Sequence, residues 1–346
     1  MNKPLSVLIV GIGGYGKNYV DELLDREAQG DYQIVGMVDP YPEKSPRFAE
    51  IREREIPLFP SMERFYKEKT ADYVCVSSPL QFHCQQTIMA LRKGAAVLCE
   101  KPLAPTIQEG REMLKVQQNT GKPVGIGYQW SYSEAIQSLK KDIITGLFGK
   151  PLRLKTLVVW PRDFKYYNRS SWAGKKKDGN GRWILDSVAS NATAHYLHNM
   201  FYVLGPEIEK STWPERLQTE LYRANNIENF DTTATRIFTD QGVELLYLVT
   251  HASAEKFEPR FCYEFEEATV YFDQDKDSQI VAKFRDGRQK IYGNPFAERF
   301  KKIWIMMEAA RGKGSYLCGI EAALPHVLCI NGMQEAVPDI VDFPEE

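Results

Sequence analysis

Residues 6–16 read SVLIVGIGGYG, an apolar run that ends in a cluster of glycines. The run has the length and composition of a short buried strand, and YGKNYVDELLD, residues 15–25, reads as a helix. Gly11, Gly13 and Gly16 therefore make a G-x-G-x-x-G turn between strand and helix. Three glycines in a turn often serve only the turn. Here a second strand, YQIVGMVDP, follows the helix and brings Asp39 to its end, near the ~20-residue separation at which an acidic residue meets a ribose. The glycines let backbone N–H groups approach a pyrophosphate at the positive end of the helix. The pattern predicts dinucleotide binding by Gly11, Gly13, Gly14, Tyr15, Gly16 and Asp39. The Asp39 charge opposes a 2′-phosphate and favours NAD, while Lys44 and Arg47 lie close enough in sequence to leave NADP open.

The same rhythm continues for about 125 residues. ADYVCVSSP is a third strand, AAVLCEKP a fourth and KPVGIGYQW a fifth, with QFHCQQTIMALRKG and TIQEGREMLKVQQNTG as helices between them. Strands alternating with helices of this length predict β-α-β units and a parallel sheet. The rhythm breaks after about Gly127. A helix, SYSEAIQSLKKDIITGLFG, and a strand, KPLRLKTLVVW, lead into an irregular basic stretch, PRDFKYYNRSSWAGKKKDGNGRW. SNATAHYLHNMFYVLG is again helical. Several strands follow from TTATRIF to RQKIY, with turn signals such as DQG and DGR that favour antiparallel pairing, and two helices close the chain. The expected architecture is α/β: a doubly wound dinucleotide-binding domain over residues 1–124, then an α+β domain over 125–346 with an open, mostly antiparallel sheet.

A length of 346 residues fits two domains. Lys and Arg number 44 against 46 Asp and Glu, a formal charge of −2, so no global field favours nucleic acid or a membrane surface. No apolar run approaches the ~20 residues that span a bilayer. The amino-terminal apolar patch runs into glycines without a small-residue cleavage site, which argues against a signal peptide. Six cysteines without a C-x-x-C pair suit buried thiols in a reducing cytoplasm. His195 and His198 are spaced as a helical metal pair is, but no cysteine or carboxylate pattern completes a site, so no metal is expected.

Two further motifs sit at strand ends, where ligands bind in such a sheet. Ser78, Pro79 and His83 follow the third strand, and VLCEKPLA, residues 97–104, closes the fourth with Glu100, Lys101 and Pro102. Pro102 disfavours helix and permits a cis bond, so it can set the direction of Lys101. With these residues in order, the chain resembles the glucose–fructose oxidoreductase / inositol dehydrogenase / MocA family. The glycine motif, the S-P-x-x-x-H and the Glu-Lys-Pro all match, and the two-domain layout extends the likeness over nearly the whole chain. The resemblance implies a Rossmann fold in which Ser78, Pro79, His83, Glu100 and Lys101 border the cofactor. It places Lys101 beside the nicotinamide, hydrogen-bonded to the substrate hydroxyl. An ammonium suits that task because it stabilises developing oxyanion charge.

In its second domain the family carries Asp-x-x-x-His at the start of a helix. Counting back from Gly205 puts His195 on the histidine and Asn191 on the aspartate. The resemblance makes His195 the general acid/base. An i, i+4 spacing puts both side chains on one helix face. Asn191 can orient a hydroxyl but cannot take its proton, and Asp186 is a second acidic candidate. Tyr128, Trp130, Trp172 and Trp183 are candidate walls for a sugar ring, although aromatic residues more often fill a core. Lys175, Lys176 and Lys177 read as a solvated loop or as an attractor for an acidic sugar. The expected function is an NAD(P)-dependent oxidoreductase of the cytoplasm acting on a sugar, cyclitol or related polyol. Asn191 keeps open a glycosidase that uses NAD without net redox, and an NAD-binding relative without catalysis is a third reading. The family's habit of pairing open sheets implies a homodimer or homotetramer through the C-terminal sheet.

Overall fold

The computed structural model describes residues 4–27 and 30–344. The chain divides into two compact units. The first comprises Met1–Ala104, Gln108–Gly127 and Phe300–Ile320, and the second comprises Pro105–Ile107, Tyr128–Arg299 and Glu321–Glu346.

In the first unit six strands are β1 (Leu5–Val10), β2 (Tyr32–Val38), β3 (Leu58–Phe59), β4 (Tyr73–Val76), β5 (Ala96–Cys99) and β6 (Val124–Ile126). All pair in parallel, in the order β3-β2-β1-β4-β5-β6. Helices α1 (Lys17–Arg26), α2 (Phe48–Glu53), α3 (Met62–Glu68), α4 (His83–Arg92) and α5 (Ile107–Thr120) connect them. β4 and β5 are buried at every residue, as expected where helices cover both faces of a parallel sheet. The strand order reverses between β1 and β4, and in such sheets the crevice outside the carboxyl ends at this switch point is where ligands bind.

Residues 300–320, expected in the second domain, pack in the first unit. Ile303 and Met306, on the helix Lys301–Ala310, are fully buried in the same core as Val7, Ile9 and Leu98. Burying each such side chain stabilises by about 1.5–3 kcal/mol. Trp304 Nε1 donates to Glu22 at 3.0 Å, and Ile126 N donates to Cys318 O at 2.7 Å. Local patterning carries no address for a helix, so an amphipathic segment near the chain end gave no sign that its apolar face belongs to the first sheet.

The second unit is built on nine strands: β7 (Pro151–Val159), β8 (Pro214–Arg223), β9 (Thr232–Thr239), β10 (Glu244–Thr250), β11 (Phe257–Phe265), β12 (Ala268–Asp273), β13 (Ile280–Phe284), β14 (Gln289–Gly293) and β15 (Val341–Asp342). Their order is β14-β13-β12-β11-β7-β10-β9-β8-β15. Most pairs are antiparallel, but β7 runs parallel to β10 and β15 to β8. The central parallel pair follows from the long crossover between β7 and β8, since parallel neighbours need such a connection. Its helices are α7 (Phe164–Tyr167) and α8 (Ala194–Val203); α6 (Glu134–Ile144) precedes β7. Along β10, Leu245, Tyr247 and Val249 are buried while Leu246 and Leu248 stay half-exposed, so one face is covered and the other is open. No helix among the described residues is long and apolar enough to cross a membrane. The six cysteines form no disulfide.

Candidate active site

One set of candidate residues lies at the switch point of the parallel sheet. Gly11 has φ +81°, and a Cβ there would stand 2.8 Å from the Ser77 carbonyl carbon and the Ser78 nitrogen. A Cβ on Gly16 would stand 2.0 Å from Gly11 O. Both positions therefore require glycine, because backbone occupies the space. Gly13 differs: a Cβ there meets nothing within 4 Å, so the loop is open where a pyrophosphate would lie. α1 begins just beyond, and no side chain caps its first N–H groups. These features fit a dinucleotide.

Asp39 accepts from Ile12 N at 3.0 Å and from Tyr41 N at 2.9 Å. It holds the glycine loop while its remaining lone pairs can take ribose hydroxyls. Arg47, left open at the sequence level as a phosphate ligand, is committed elsewhere. Its fork pairs with Asp21 and Asp25 at 2.9 Å each and with Glu50 at 2.5 Å. Lys44 lies over the exposed Tyr41 ring at 4.3 Å.

β5 delivers Glu100 and Lys101, and the Lys101–Pro102 peptide is cis. Lys101 is half-buried, and its N–H donates to Glu100 Oε2 at 3.0 Å. Glu100 is only 5% exposed and takes two more donors, Tyr19 OH at 2.6 Å and the Lys302 ammonium. Lys302, 1% exposed, also reaches Gly127 O at 3.2 Å and lies near the rings of Tyr15 and Tyr19. A Cβ on Gly127 would sit 2.7 Å from the Glu100 carboxylate, so this position makes room for the pair. Burial works against ionisation of both groups, but their mutual attraction and the hydrogen bonds outweigh it. The Glu100 carboxyl lies below its ordinary range and Lys302 above. Neither Lys302 nor Tyr19 was flagged by the sequence, because each meets Glu100 only through the fold.

His83 ties the lysine loop to the next strand end. Its Nδ1 lies 2.9 Å from Pro102 O and its Nε2 lies 2.9 Å from Ser78 O. Burial is the largest influence on this imidazole and lowers its pKa. Pro79 precedes the turn that opens α4, and Ser78 Oγ donates to Gln86. The matched S-P-x-x-x-H is thus a brace between the loops that follow β4 and β5.

The second unit holds the other candidates. Asn191 lies in a single π-helical turn, Val188–Ala192, and Thr193 separates that turn from α8. The expected common face of one α-helix therefore does not describe Asn191 and His195, because the chain changes helix type between them. The turn has a different consequence. Asn191 Nδ2 donates to Asp186 Oδ1 at 2.9 Å, and Gly174 N donates to Asp186 Oδ2 at 2.6 Å. The buried Asp186 thus supplies a carboxylate directly behind the amide that stands where the family acid was expected.

His195 is half-buried and meets Tyr128 edge-on, with ring centroids 5.9 Å apart. Tyr128 is fully buried, stacks on His198 at 3.8 Å and bonds His326 Nδ1 at 3.0 Å. Burial, with the charges of His326 and Lys140, pushes His198 well below its usual value, which makes it a neutral core residue. Trp130, 1% exposed, packs among Tyr196, Phe272 and Phe296 as a core side chain. Trp172 is half-buried beside Arg169, and Trp183 is 44% exposed under Lys177. Lys175 pairs with Glu228 at 2.9 Å. Among the described residues no three or more His, Cys, Asp or Glu side chains converge as a metal site would require.

Residues 5–128 match the family described as an oxidoreductase family with an NAD-binding Rossmann fold. A 1,5-anhydro-D-fructose reductase of Ensifer adhaerens is 29% identical over 132 residues, 38% of this chain and 39% of that protein. An inositol 2-dehydrogenase of Corynebacterium glutamicum is 27% identical over 171 residues, 49% of this chain and 50% of that protein. The matches thus span half or less of these relatives. The WlbA dehydrogenase from Bordetella pertussis, crystallised with NADH and UDP-GlcNAcA, shares the fold along 99% of this chain and 100% of its own. Its TM-score is 0.79 at 20% identity.

Proposed function

We propose, from the match of residues 5–128 to the Gfo/Idh/MocA oxidoreductase family, that the protein transfers a hydride between NAD and a hydroxyl-bearing carbon of a sugar, cyclitol or related polyol. One observation carries the reading. Lys101 stands at the carboxyl end of β5, with its loop braced by the buried Glu100–Lys302 pair and by His83. A solvated loop lysine needs no such frame.

NAD, when bound, supplies the hydride acceptor. The glycine loop and the α1 N-terminus hold its pyrophosphate and Asp39 holds its ribose. In the oxidising direction Lys101 donates a hydrogen bond to the substrate oxygen and stabilises negative charge there. His195 takes the hydroxyl proton. Asn191, fixed by Asp186, orients the same hydroxyl. Asp186 behind Asn191 returns a carboxylate to this position, which supports the dehydrogenase reading beside the redox-neutral glycosidase that Asn191 keeps open. The test is the purified protein mixed with NAD and a panel of polyols. Substrate-dependent NADH absorbance is expected, and none with any member of a broad panel would remove the proposal.

Asp39 and the engagement of Arg47 by three carboxylates support NAD over NADP. Asp39→Ser is expected to lower kcat/KM for NAD by about tenfold or more, since a hydrogen bond to a charged group is worth about 1.5–3 kcal/mol. The preference over NADP should narrow by a similar factor. An unchanged ratio of the two kcat/KM values would reject this role. The proposed assembly is a homo-oligomer through the open sheet face, where Leu157, Leu246, Leu248, Cys262 and Val281 are half-exposed and Tyr271 is exposed. A monomer by light scattering would remove it.

A further inference from the structure

The parallel pairing of β7 and β10 continues past both strand ends. Trp160 N donates to Thr250 O, and Arg162 N donates to His251 O, each at 3.0 Å. His251 is thereby fixed beside the basic stretch that begins at Pro161. It is 3% exposed, and its Nδ1 lies 2.8 Å from Tyr167 OH. Its Nε2 is buried and has no hydrogen-bond partner. Burial first, and then the charges of Arg162 and Arg169, push this imidazole down to about 3, so it is neutral. Burial likewise keeps Tyr167 a phenol. Phenol and neutral imidazole can each donate in this contact; where the Tyr167 O–H donates to Nδ1, the ring hydrogen lies on Nε2. A buried N–H without an acceptor is unfavourable, and native structures rarely keep one without cause.

Two guanidinium groups share the ring of Tyr166, which also lies edge-on to His251. Arg162 stands 4.9 Å from the Tyr166 centroid and Arg169 3.7 Å, and Arg169 is also 5.1 Å from the Trp172 ring. Arg162 Nε is buried and has no hydrogen-bond partner. Neither arginine forms an ion pair with a carboxylate among the described residues. Burial, and to a lesser degree Asp186, the carboxylate behind Asn191, raises the pKa of both Tyr166 and Tyr167, so the cluster adjoins the proposed substrate residues of this unit.

We infer that Arg162, Arg169 and the Nε2–H of His251 form an oxyanion subsite, and that the polyol substrate carries a carboxylate or phosphate. Arginine forks match both groups, and stacking on aromatic faces orients the forks in advance. The inference rests on the proposed reaction and narrows its substrate class. It also gives the acidic-sugar idea a better address than Lys175 and Lys177, which are occupied by Glu228 and by the Trp183 ring.

The test measures binding, without turnover, by calorimetry on the full chain saturated with NADH. Matched ligands are a neutral sugar, its uronic acid and its phosphate ester. At least one anionic ligand is expected to bind about tenfold or more tightly than its neutral parent, with the advantage shrinking as salt rises. Preference for the uronic acid identifies a carboxylate and preference for the ester a phosphate. Arg169→Met, at an exposed position where folding is not at risk, should remove most of the advantage and leave NADH affinity unchanged. Arg162→Lys should lose the advantage in part. Equal affinity for neutral and anionic ligands, or an advantage that survives Arg169→Met, would overturn the subsite. Failure of the oxidoreductase reading would show separately, as absent NADH binding.

Discussion

Lys302→Met is expected to destabilise the protein by roughly 3–5 kcal/mol at neutral pH, the usual consequence of leaving a buried charge without its partner. Glu100 and Lys302 are 5% and 1% exposed, so water cannot replace the lost ammonium. Tyr19 OH and Lys101 N would still donate to the carboxylate, but neither carries charge. The pH dependence gives the sharper signature. In the native protein the Glu100 carboxyl is depressed, so its contribution is present above its unfolded value, about 4.3, and is lost as pH falls through the folded value. Lys302 is raised, so its contribution is present below about 10.4 and is lost as pH rises through the folded value. In Lys302→Met burial, the largest influence on Glu100, is opposed only by Tyr19 and Lys101, so its pKa rises and the penalty should grow between pH 4 and 7. Urea denaturation across that range measures it. Glu100→Gln combined with Lys302→Met should recover part of the loss. A single variant as stable as the native protein at pH 7 would mean that the pair does not hold this loop.

Lys101→Met is expected to lower kcat by about 10²–10³-fold, the range for removing one preorganised donor from a developing oxyanion. NAD affinity and urea midpoint should change little, because Lys101 is half-buried and the backbone N–H that it donates to Glu100 is kept in the variant. Lys101→Arg should not rescue turnover, since a guanidinium is larger and presents a different donor geometry. Steady-state kinetics on the substrate that the polyol panel supplies, with NAD binding measured alongside, separates catalysis from cofactor capture. Full activity in Lys101→Met would remove the lysine from the mechanism.

The parts legible in the sequence are those encoded by neighbours. Gly11 and Gly16 announce a turn because backbone fills the space a side chain would take. Glu100, Lys101 and Pro102 stand out because charge at the end of an apolar strand is unusual. Contacts made across the fold leave no such mark. Lys302 lies some two hundred residues from Glu100 in sequence and, read alone, is one more lysine on an amphipathic helix. The parallel alignment of β7 with β10 depends on a crossover whose path no turn residue signals, and that alignment puts His251 beside Arg162. Asp186 was noticed, but its place behind Asn191 depends on a π-helical turn that a 3.6-residue period cannot foresee.

Hydride transfer is the central claim, and isotope labelling tests it most directly. A polyol found to be a substrate, deuterated at the carbon that is oxidised, is turned over with unlabelled NAD and the nicotinamide product is examined by mass spectrometry. The predicted result is deuterated NADH, formed in equal amount to the carbonyl product. Substrate consumed with no accumulation of NADH, or NADH that carries no deuterium, would contradict the account.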